Sequence, residues 1–379
     1  MSESKCLPPT WSWLNRRYRK HRSAACVFHG DVPGCLGYIL RMQTQAPFRF
    51  VIVGSGNICR TYLKAIANQP GLAVAGVVSR SGRRPEDLPA GVGVFPSLAA
   101  VDVPFDAVIL TTPNGLHHQG AIEAAALGKH VLTEKVLEIS RDAMDRMMRA
   151  CREAGVKLAV TYQRRMSPDN RAIKQLLDAG RLGRVFAADM QVKFWRDAAY
   201  YRSGAYRGTV AVDGGGAFTQ QAAHNADLLC WFFGLPGRVV SLCDRFVHAI
   251  EVEDHGAALL HYPNGMIATF TASTACQPGF PTRFEIHTTH GSIVTENDRI
   301  THWSIAGEPN PAERKFEVHD GATSAAVTDT AGHEGILCDF AEAVRTGREP
   351  AVPAESGRLA SELILQIYGN NLLRAGQTE

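Results

Sequence analysis

The sequence lacks the features that mark several large classes of protein. Its nine cysteines contain no C-x-x-C pair, and their odd number does not suit a disulfide framework. No apolar run approaches the roughly 20 residues that a membrane-spanning helix needs. The 40 basic and 37 acidic residues nearly cancel, and the net charge of +3 gives no reason to expect a nucleic acid partner. We therefore expect reduced thiols, a cytoplasmic location, and neither a nucleic acid nor a membrane as partner.

A metal-ligand pattern is also missing. Five of the 14 histidines lie on or near apolar segments of the second half, without the spacing of a metal site. They are His248, His255, His261, His287 and His290. The composition is that of an ordinary globular protein, with 45% hydrophobic and 20% charged residues over 379 positions. This length is enough for two domains, and we predict no bound metal.

The first 46 residues differ from the rest of the chain. A basic, aromatic cluster between Trp11 and Arg22 has no clear periodicity, and no apolar core of a secretory signal follows it. Such a cluster could bind RNA or a membrane surface. The alternative is a disordered extension, or translation from a start codon set too early, with Met42 as the natural beginning. We favour this alternative and expect that removal of residues 1–41 leaves folding and activity intact.

The segment from Phe48 to Cys59 reads F-R-F-V-I-V-G-S-G-N-I-C. Its apolar run over 50–53 predicts a strand buried on both faces, and apolar residues at helical spacing over 57–69 predict a helix. Gly54 permits a tight turn between them, and Gly56 lets the backbone approach the pyrophosphate of a dinucleotide at the helix N-terminus. The third small position of this fingerprint is Cys59. The segment predicts a dinucleotide site, with an ordinary strand–helix turn as the alternative.

The second predicted strand, 72–78, ends without the acidic residue that would bind the adenosine ribose of NAD. Ser79 and Arg80 stand there instead, and Arg83 and Arg84 follow shortly. A hydroxyl and a guanidinium suit the 2′-phosphate of NADP, which a carboxylate would repel. The sequence therefore favours NADP over NAD, and a solvated basic loop is the alternative.

Strands and helices alternate as far as residue 163. Further strands are predicted over 107–110, 130–133 and 157–161, and helices over 119–127 and 141–154. This alternation predicts a doubly wound parallel sheet, an α/β Rossmann domain over residues 47–163. Ligands of such sheets bind beyond the carboxyl ends of the strands.

From residue 164 the pattern changes. A helix over 169–179 and a strand over 185–193 come first, followed by a loop rich in aromatic residues and arginine. Strand-like runs and two final helices follow, over 238–247, 256–262, 266–274, 283–289, 292–295, 334–345 and 356–373. Runs of strands after a single helix predict an α+β domain over residues 164–379 with a large, mostly antiparallel sheet.

A helix with a polar stripe is predicted before these strands. The segment D-G-G-G at 213–216 leads into it, and it ends at Phe233. Gln220, His224 and Asp227 are spaced i, i+4 and i+7, so they share one face of an otherwise apolar helix. His224 is a candidate for acid–base chemistry, and a hydrogen-bonded core histidine is the alternative.

Together these motifs resemble the Gfo/Idh/MocA oxidoreductases, the family of glucose–fructose oxidoreductase and inositol dehydrogenase. The resemblance rests on G-S-G-N-I at 54–58, T-T-P-N-x-x-H at 111–117, E-K at 134–135 and the histidine helix, and it runs from about Phe48 to about Gly376. It implies NADP or NAD as cofactor and a sheet that commonly forms a dimer face, so we expect a homodimer or homotetramer. Besides the glycine turn and the Ser79–Arg80 pair, it implies cofactor contacts from Asn57, Ile58, Thr111, Pro113, Asn114, His117, Glu134, Lys135 and Gln163.

The resemblance also implies a catalytic pair, Lys135 and His224. Lys135 would hydrogen-bond the reacting oxygen and stabilise its negative charge, and His224 would exchange the proton. The implied reaction is hydride transfer between nicotinamide and a secondary alcohol or ketone of a sugar, cyclic polyol or sugar nucleotide. The implied substrate-binding residues, for hydroxyls or a phosphate, are Arg164, Tyr206, Arg207, Gln220 and Asn225.

Three residues depart from the family pattern. Val136 follows the E-K pair where the family has proline, often after a cis peptide bond, and Gln220 stands where the family often has aspartate. Cys59 replaces the usual glycine or alanine. These departures would suit a rival class, a non-catalytic protein that binds NAD(P)H as a sensor. A glycosidase that retains NAD as a redox helper is a second alternative.

Overall fold

The computed structural model describes residues 46–312 and 329–375. The basic, aromatic cluster near the start of the chain lies outside the described residues, as does part of the polar segment before the last two helices. None of the helices in the two described ranges combines the length and the apolar character that a bilayer crossing requires.

The first sheet has six strands, all parallel, which confirms the predicted doubly wound sheet. The strands are β1 (Phe48–Val53), β2 (Leu72–Val78), β3 (Gly93–Phe95), β4 (Ala107–Leu110), β5 (His130–Thr133) and β6 (Leu158–Val160). Their order is β3, β2, β1, β4, β5, β6, so β1 lies inside the sheet. Phe50, Val51 and Ile52 are fully buried there, as the unbroken apolar run predicts. The edge strand β3 has only three residues and no clear sequence pattern, and it was not predicted.

Three helices connect these strands: α1 (Asn57–Ala67), α2 (His117–Ala126) and α3 (Arg141–Glu153). Helix α3 begins at a Ser140 cap, whose hydroxyl accepts a hydrogen bond of 3.2 Å from the N–H of Ala143. A further helix, α4 (Pro168–Asp178), follows a short turn at Gln163–Met166.

The second sheet has seven strands and is mostly antiparallel, as predicted. They are β7 (Val185–Lys193), β8 (Arg238–Asp244), β9 (His255–His261), β10 (Ile267–Ser273), β11 (Arg283–Thr288), β12 (Gly291–Glu296) and β13 (Arg299–Trp303). The order is β13, β12, β11, β7, β10, β9, β8, and only the central pair β7 and β10 runs parallel. Along β9, buried and exposed residues alternate, because one face of the sheet covers the core.

The predicted helix that ends at Phe233 consists of two pieces. A π-helical turn spans Ala217–Gln221, and helix α6 follows at Ala223–Phe233. The carboxylate of Glu253 accepts hydrogen bonds from the N–H groups of Gly216 (2.9 Å) and Phe218 (3.0 Å), and so fixes the start of the π-helical turn. The prediction of one regular helix was wrong because Glu253 is distant in sequence. A short helix in the aromatic loop, α5 (Ala198–Arg202), was also not predicted.

The last helices pack against both sheets. They are α7 (Ala331–Thr346), α8 (Ala354–Gly369) and α9 (Leu372–Ala375). Phe340 of α7 packs 6.4 Å from the ring of Phe50, and Glu334 accepts a hydrogen bond of 2.7 Å from Gln69. The predicted helix over 356–373 is interrupted at Asn371, because its side-chain amide pairs with the backbone of Cys243 at 3.1 and 2.8 Å.

Candidate active site

The turn between β1 and α1 brings two strand ends close together. Gly54 has φ +116°, a conformation that suits glycine, and a Cβ there would lie 2.6 Å from the Thr111 hydroxyl oxygen. Thr111 itself donates a hydrogen bond of 2.9 Å to the carbonyl oxygen of Val53. This predicted cofactor residue therefore joins the ends of β4 and β1, and the turn has no space for a side chain at Gly54.

The N-terminus of α1 is open. Gly56 is its N-cap, no side chain caps it, no acidic residue stands in its first turn, and a Cβ on Gly56 would meet nothing within 4 Å. Asn57 and Ile58 form the first turn, one exposed and the other half-buried. Free N–H groups and the helix dipole make such an end a favourable place for an anion. The residues present therefore fit the diphosphate of a dinucleotide.

Cys59 occupies the third fingerprint position as a packing residue. Its side chain is fully buried, and burial raises the pKa of the thiol to about 12, so it stays protonated. A small apolar side chain is sufficient for the close contact between α1 and the sheet. The departure at Cys59 thus leaves the shape of the turn intact.

The end of β2 presents hydroxyls and one unengaged guanidinium. The buried Ser79 hydroxyl lies 3.0 Å from that of Ser55 and 3.3 Å from that of Ser81. Arg80 is exposed and forms no hydrogen bond or ion pair with the residues described in the structure. Arg84, in contrast, donates to the carbonyl oxygens of Val92, Pro89 and Leu88. The two arginines of this basic loop therefore have different environments.

Two predicted cofactor residues hold the loop after β4 in place through hydrogen bonds to the backbone. Asn114 follows Pro113 and is buried, and its amide donates a hydrogen bond of 3.0 Å to the carbonyl oxygen of Asp213. His117 is fully buried, and its ring nitrogens lie 2.8 Å from the carbonyl oxygen of Val136 and 2.9 Å from that of Thr112. Both side chains are thus engaged with neighbouring backbone, so they shape the edge of the sheet.

The E-K pair follows β5 directly. Glu134 is buried and accepts hydrogen bonds from the Tyr62 hydroxyl at 2.6 Å and from the N–H of Lys135 at 3.1 Å. The peptide bond between Lys135 and Val136 is cis, the form that the resemblance associates with proline at this position. The Glu134 carboxylate thus connects the backbone at Lys135 to the side chain of Tyr62.

Lys135 reaches from the first sheet to the π-helical turn. Its Nζ donates a hydrogen bond of 2.8 Å to the carbonyl oxygen of Gln220. Burial lowers the pKa of the Lys135 amine, the carboxylates of Glu134 and Asp213 oppose this effect, and the guanidiniums of Arg207 and Arg196 reinforce it. The amine therefore lies among groups of both charges.

His224 is held neutral by its surroundings. Burial lowers its pKa well below the usual value, and the positive charges of Lys135 and Arg164 lower it further. The ring meets that of Tyr162 edge to face at 5.8 Å, and Nδ1 is buried without a hydrogen-bond partner among the described residues. A neutral imidazole beside a lysine can accept a proton from a substrate hydroxyl.

The residues of the predicted polar stripe contact different parts of the structure. The Gln220 side chain donates to the Asp213 carboxylate at 2.5 Å, and Asp227 is fully buried in an ion pair with Arg165 at 2.6 and 2.8 Å. Asn225, predicted to bind substrate, is also buried, and its amide lies 3.3 Å from the sulfur of Met190. Of the stripe, Gln220 and His224 lie near Lys135, whereas Asp227 stabilises the core.

Arginine and aromatic side chains form a stacked group in the loop after β7. The Tyr200 hydroxyl accepts hydrogen bonds from Arg207 at 2.8 Å and from Gln221 at 2.9 Å. The Arg207 guanidinium lies 4.4 Å from the Tyr200 ring centre and 5.3 Å from that of Tyr206, and Arg196 lies 5.6 Å from the Tyr200 ring. Arg196 and Tyr200 lie in the loop that the sequence marks as rich in aromatic residues and arginine, but neither they nor Gln221 were named as site residues, because their contacts with Arg207 depend on the fold.

Two predicted residues lie on the short turn after β6. Arg164 donates to the Thr282 hydroxyl at 3.2 Å and to the Asp298 carboxylate at 3.3 Å, so its guanidinium is already paired. The side-chain carbonyl oxygen of Gln163 is buried without a hydrogen-bond partner among the described residues, and Gly332 of α7 packs against this side chain. Across 46–312 and 329–375, no group of three or more potential metal ligands comes together.

Two family models match the chain in succession. Residues 48–162 match an oxidoreductase family with an NAD-binding Rossmann fold, and residues 170–294 match the GFO/IDH/MocA C-terminal domain. A 1,5-anhydro-D-fructose reductase from Ensifer adhaerens is 29% identical over 264 residues, 66% of this chain and 76% of the relative. An inositol 2-dehydrogenase from Rhizobium meliloti is 23% identical over 335 residues, 83% of this chain and 94% of the relative.

Solved structures have the same architecture. The WlbA dehydrogenase from Bordetella pertussis, in complex with NADH and UDP-GlcNAcA, is 30% identical, and the superposition covers 87% of this chain and 97% of that one with a TM-score of 0.76. The WlbA dehydrogenase from Chromobacterium violaceum, also with NADH and UDP-GlcNAcA, is 27% identical over 88% and 95% of the two chains, with a TM-score of 0.75.

Proposed function

Because the chain belongs to the Gfo/Idh/MocA family of oxidoreductases, we propose that it transfers hydride between nicotinamide and a secondary alcohol or ketone of a sugar, polyol or sugar nucleotide. The single observation that carries this proposal is the contact between Lys135 and the π-helical turn that precedes His224. It brings a cation and a neutral imidazole to the edge of the sheet beyond which nicotinamide would lie.

The cofactor is NAD or NADP, and it supplies the hydride acceptor or donor when bound. The open N-terminus of α1 would hold the diphosphate, and the turn at Gly54 and Gly56 would let it approach the backbone. We favour NADP because the end of β2 offers Ser79 and Arg80, which has no ion-pair partner in the described part of the chain, and no acidic residue is adjacent to them in the sequence. The acidic residues further along, Glu86 and Asp87, pair with Arg60 at 3.3 and 2.8 Å.

Lys135 stabilises the reacting oxygen. When the alcohol is oxidised, its oxygen gains negative charge as the hydride leaves, and an ammonium group at hydrogen-bond distance lowers the energy of that state. The contact of Nζ with the carbonyl oxygen of Gln220 fixes the direction of the side chain and leaves further N–H groups for the substrate. Lys135 is therefore proposed as the electrostatic partner of the substrate oxygen.

His224 exchanges the proton. A neutral imidazole takes the hydroxyl proton during oxidation and returns it during reduction. Burial lowers the pKa of His224, so the ring is neutral at neutral pH and has a nitrogen lone pair for this proton. Because Gln220 carries no charge, His224 is the group beside Lys135 that we assign to proton transfer.

The substrate binds beside the stacked arginines. Arg207, Tyr206 and Tyr200 offer guanidinium and hydroxyl groups to sugar hydroxyls or a phosphate, and Gln220 and Asn225 lie on the adjoining turn and helix. The Bordetella relative was solved with a sugar nucleotide that carries a diphosphate, which supports a substrate of that kind. We also propose that residues 47–163 bind the cofactor and residues 164–379 the substrate.

The location and the assembly are further parts of the proposal. The cysteines within residues 46–312 and 329–375 form no disulfide bond, which suits a reducing cytoplasm. Leu242, Leu259 and Ile267 on the second sheet are each about half exposed, which suits a homodimer or homotetramer built on that face. Sedimentation at several protein concentrations would test the assembly.

The near-ultraviolet absorbance of reduced nicotinamide provides the test. The full chain is incubated with NAD or NADP and with a panel of cyclic polyols, free sugars and sugar nucleotides, including UDP-GlcNAcA. We expect a cofactor-dependent rise with at least one substrate and its loss in His224→Ala. Bound cofactor that no substrate on the panel oxidises or reduces would favour the sensor class. Release of a sugar leaving group without net reduction would favour the glycosidase.

A further inference from the structure

A continuous path of hydrogen bonds connects the loop after β4 to Lys135. The Asn114 amide donates to the carbonyl oxygen of Asp213 at 3.0 Å, and the Gln220 side chain donates to Oδ1 of the same residue at 2.5 Å. Lys135 Nζ then donates to the carbonyl oxygen of Gln220 at 2.8 Å. The other carboxylate oxygen of Asp213 accepts from the N–H of Gly208 at 2.8 Å. Asp213 is therefore the branch point of this path.

The carboxylate of Asp213 is buried among cations. It is 2% exposed, and the charges that face it are Lys135 and Arg207, with the hydroxyl of Tyr200 and the amide of Gln220 close by. Burial raises the pKa of Asp213 to about 6, although the two cations and the hydrogen bonds from Gly208 and Gln220 oppose the rise. Because desolvation of this carboxylate costs stability, a functional role is the better explanation of its presence.

Lys135 has two carboxylates nearby, and they have different roles. Glu134 is engaged by the hydroxyl of Tyr62 and by the N–H of Lys135, so it supports the backbone beneath the lysine. Asp213 acts on Lys135 in two ways: it holds Gln220, which accepts a hydrogen bond from Lys135, and its negative charge raises the pKa of the amine. Because burial, Arg207 and Arg196 all favour the neutral amine, the Asp213 charge opposes all three.

We propose that Asp213 is a positioning residue of the proposed reaction, whose ionised carboxylate aligns Gln220 and keeps Lys135 protonated. The inference rests on the proposed role of Lys135 and assigns to this chain the carboxylate that Gln220 does not supply. When Asp213 takes up a proton at acid pH, Gln220 loses a charged acceptor and Lys135 loses a neighbouring negative charge. Activity therefore falls on the acid side as the Asp213 carboxylate is neutralised.

The first experiment compares three variants of the full chain: Asp213→Asn, Gln220→Asp, and the double variant that exchanges the two side chains. The exchange moves the carboxylate within the same hydrogen-bonded pair and keeps one acid and one amide. We expect Asp213→Asn to lower kcat roughly tenfold, the change that one pKa unit of lost interaction corresponds to. We expect the exchanged variant to recover most of that loss, and the acid limb of the pH–rate profile to move in Asp213→Asn.

The second experiment measures Lys135 directly and needs no substrate. Lysines are dimethylated with ¹³C, the Lys135 signal is identified by its loss in Lys135→Met, and its titration is followed by NMR. We expect the pKa of Lys135 to fall in Asp213→Asn and to return in the exchanged variant. Asp254→Asn is the matched control, because Asp254 is fully buried and accepts three backbone N–H groups in another loop.

The outcomes separate this inference from the proposed function. A Lys135 titration that is the same in Asp213→Asn and in the wild type overturns the inference, whether or not the enzyme turns over. Equal shifts in Asp213→Asn and Asp254→Asn also overturn it, because they indicate a general structural effect. A shifted Lys135 titration together with no turnover on any substrate supports the positioning role and contradicts the proposed function.

Discussion

The two sides of the candidate active site are constructed in different ways. On the cofactor side, one contiguous segment from β1 to α1 supplies the turn at Gly54 and the open helix end at Gly56. On the substrate side, the groups around Lys135 come from separate segments that meet through Asp213 and Gln220. The first side depends on backbone shape, and the second depends on hydrogen bonds between distant residues. Changes on the first side should therefore alter cofactor affinity, and changes on the second should alter turnover.

The largest effect is expected for His224→Ala. Removal of the group that exchanges the proton should lower kcat by roughly 10²–10⁴-fold, and one limb of the pH–rate profile should disappear. Cofactor affinity, measured by fluorescence titration, should change little, because His224 follows the π-helical turn on the substrate side. His261→Ala on the exposed face of β9 is the control and should retain full turnover. Near-normal turnover of His224→Ala would contradict the proposed proton transfer.

Lys135→Met should have the next largest effect. The variant keeps a side chain of similar length without the charge, so the loss reports on stabilisation of the oxyanion, on the order of 10²-fold or more in kcat. The exposed Lys64→Met is the matched control. The double variant of Lys135 and His224 should be little worse than the poorer single variant, because residues that act as a unit are not additive. A multiplicative loss would indicate that the two side chains act independently.

The comparison also explains what could be predicted from the sequence. The apolar run over 50–53, the glycine turn and the helix after it depend on neighbours in the chain, so their spacing was sufficient to predict the parallel sheet. The Rossmann fold and the mostly antiparallel second sheet were predicted correctly for the same reason.

The substrate side could be predicted only in part. The sequence suggested one face for Gln220, His224 and Asp227, but Glu253 and Asp213 bind the start of this segment and turn Gln220 away from Asp227. Asp213 was missed as a site residue, although it immediately precedes the glycine turn. Its role depends on Asn114, Gln220 and Lys135, and no local pattern places these residues together.

The stability of the protein should depend on pH through Asp213. Folding raises the pKa of its carboxyl to about 6, so the folded state binds the proton more tightly than the unfolded state does. The stabilisation that proton binding provides is complete below the unfolded pKa and is lost as pH rises through about 6. This shift from 3.8 corresponds to at most about 3 kcal/mol. Relative to the wild type, Asp213→Asn should therefore become more stable as pH rises from about 4 to about 7. A difference in melting temperature that is constant with pH would contradict this sign.

On the cofactor side, Gly54→Ala should weaken cofactor binding and lower stability by about 1–3 kcal/mol. The new Cβ would combine φ +116° with a contact of 2.6 Å to the Thr111 hydroxyl oxygen. Gly128→Ala is the matched control, because Gly128 has φ +67° and open space around its Cβ position. Both variants should lower the melting temperature, whereas cofactor affinity, measured by titration calorimetry, should fall in Gly54→Ala and stay nearly unchanged in Gly128→Ala. Unchanged cofactor affinity in Gly54→Ala would contradict the dinucleotide assignment of this turn.

Arg80→Ala is expected to have the smallest effect and to discriminate between the cofactors. Loss of one exposed guanidinium should weaken NADP by about 1.5 kcal/mol, roughly tenfold in Kd, and leave NAD nearly unchanged, because only NADP carries the 2′-phosphate. Arg84→Ala is the control in the same loop. Its guanidinium donates to the carbonyl oxygens of Val92 and Pro89 at 2.8 Å, so its loss should loosen the loop and affect both cofactors alike. Titration of both variants with both cofactors gives four affinities. An equal loss of affinity for NAD and NADP in Arg80→Ala, or no loss for either, would contradict the 2′-phosphate contact and favour the alternative of a solvated basic loop.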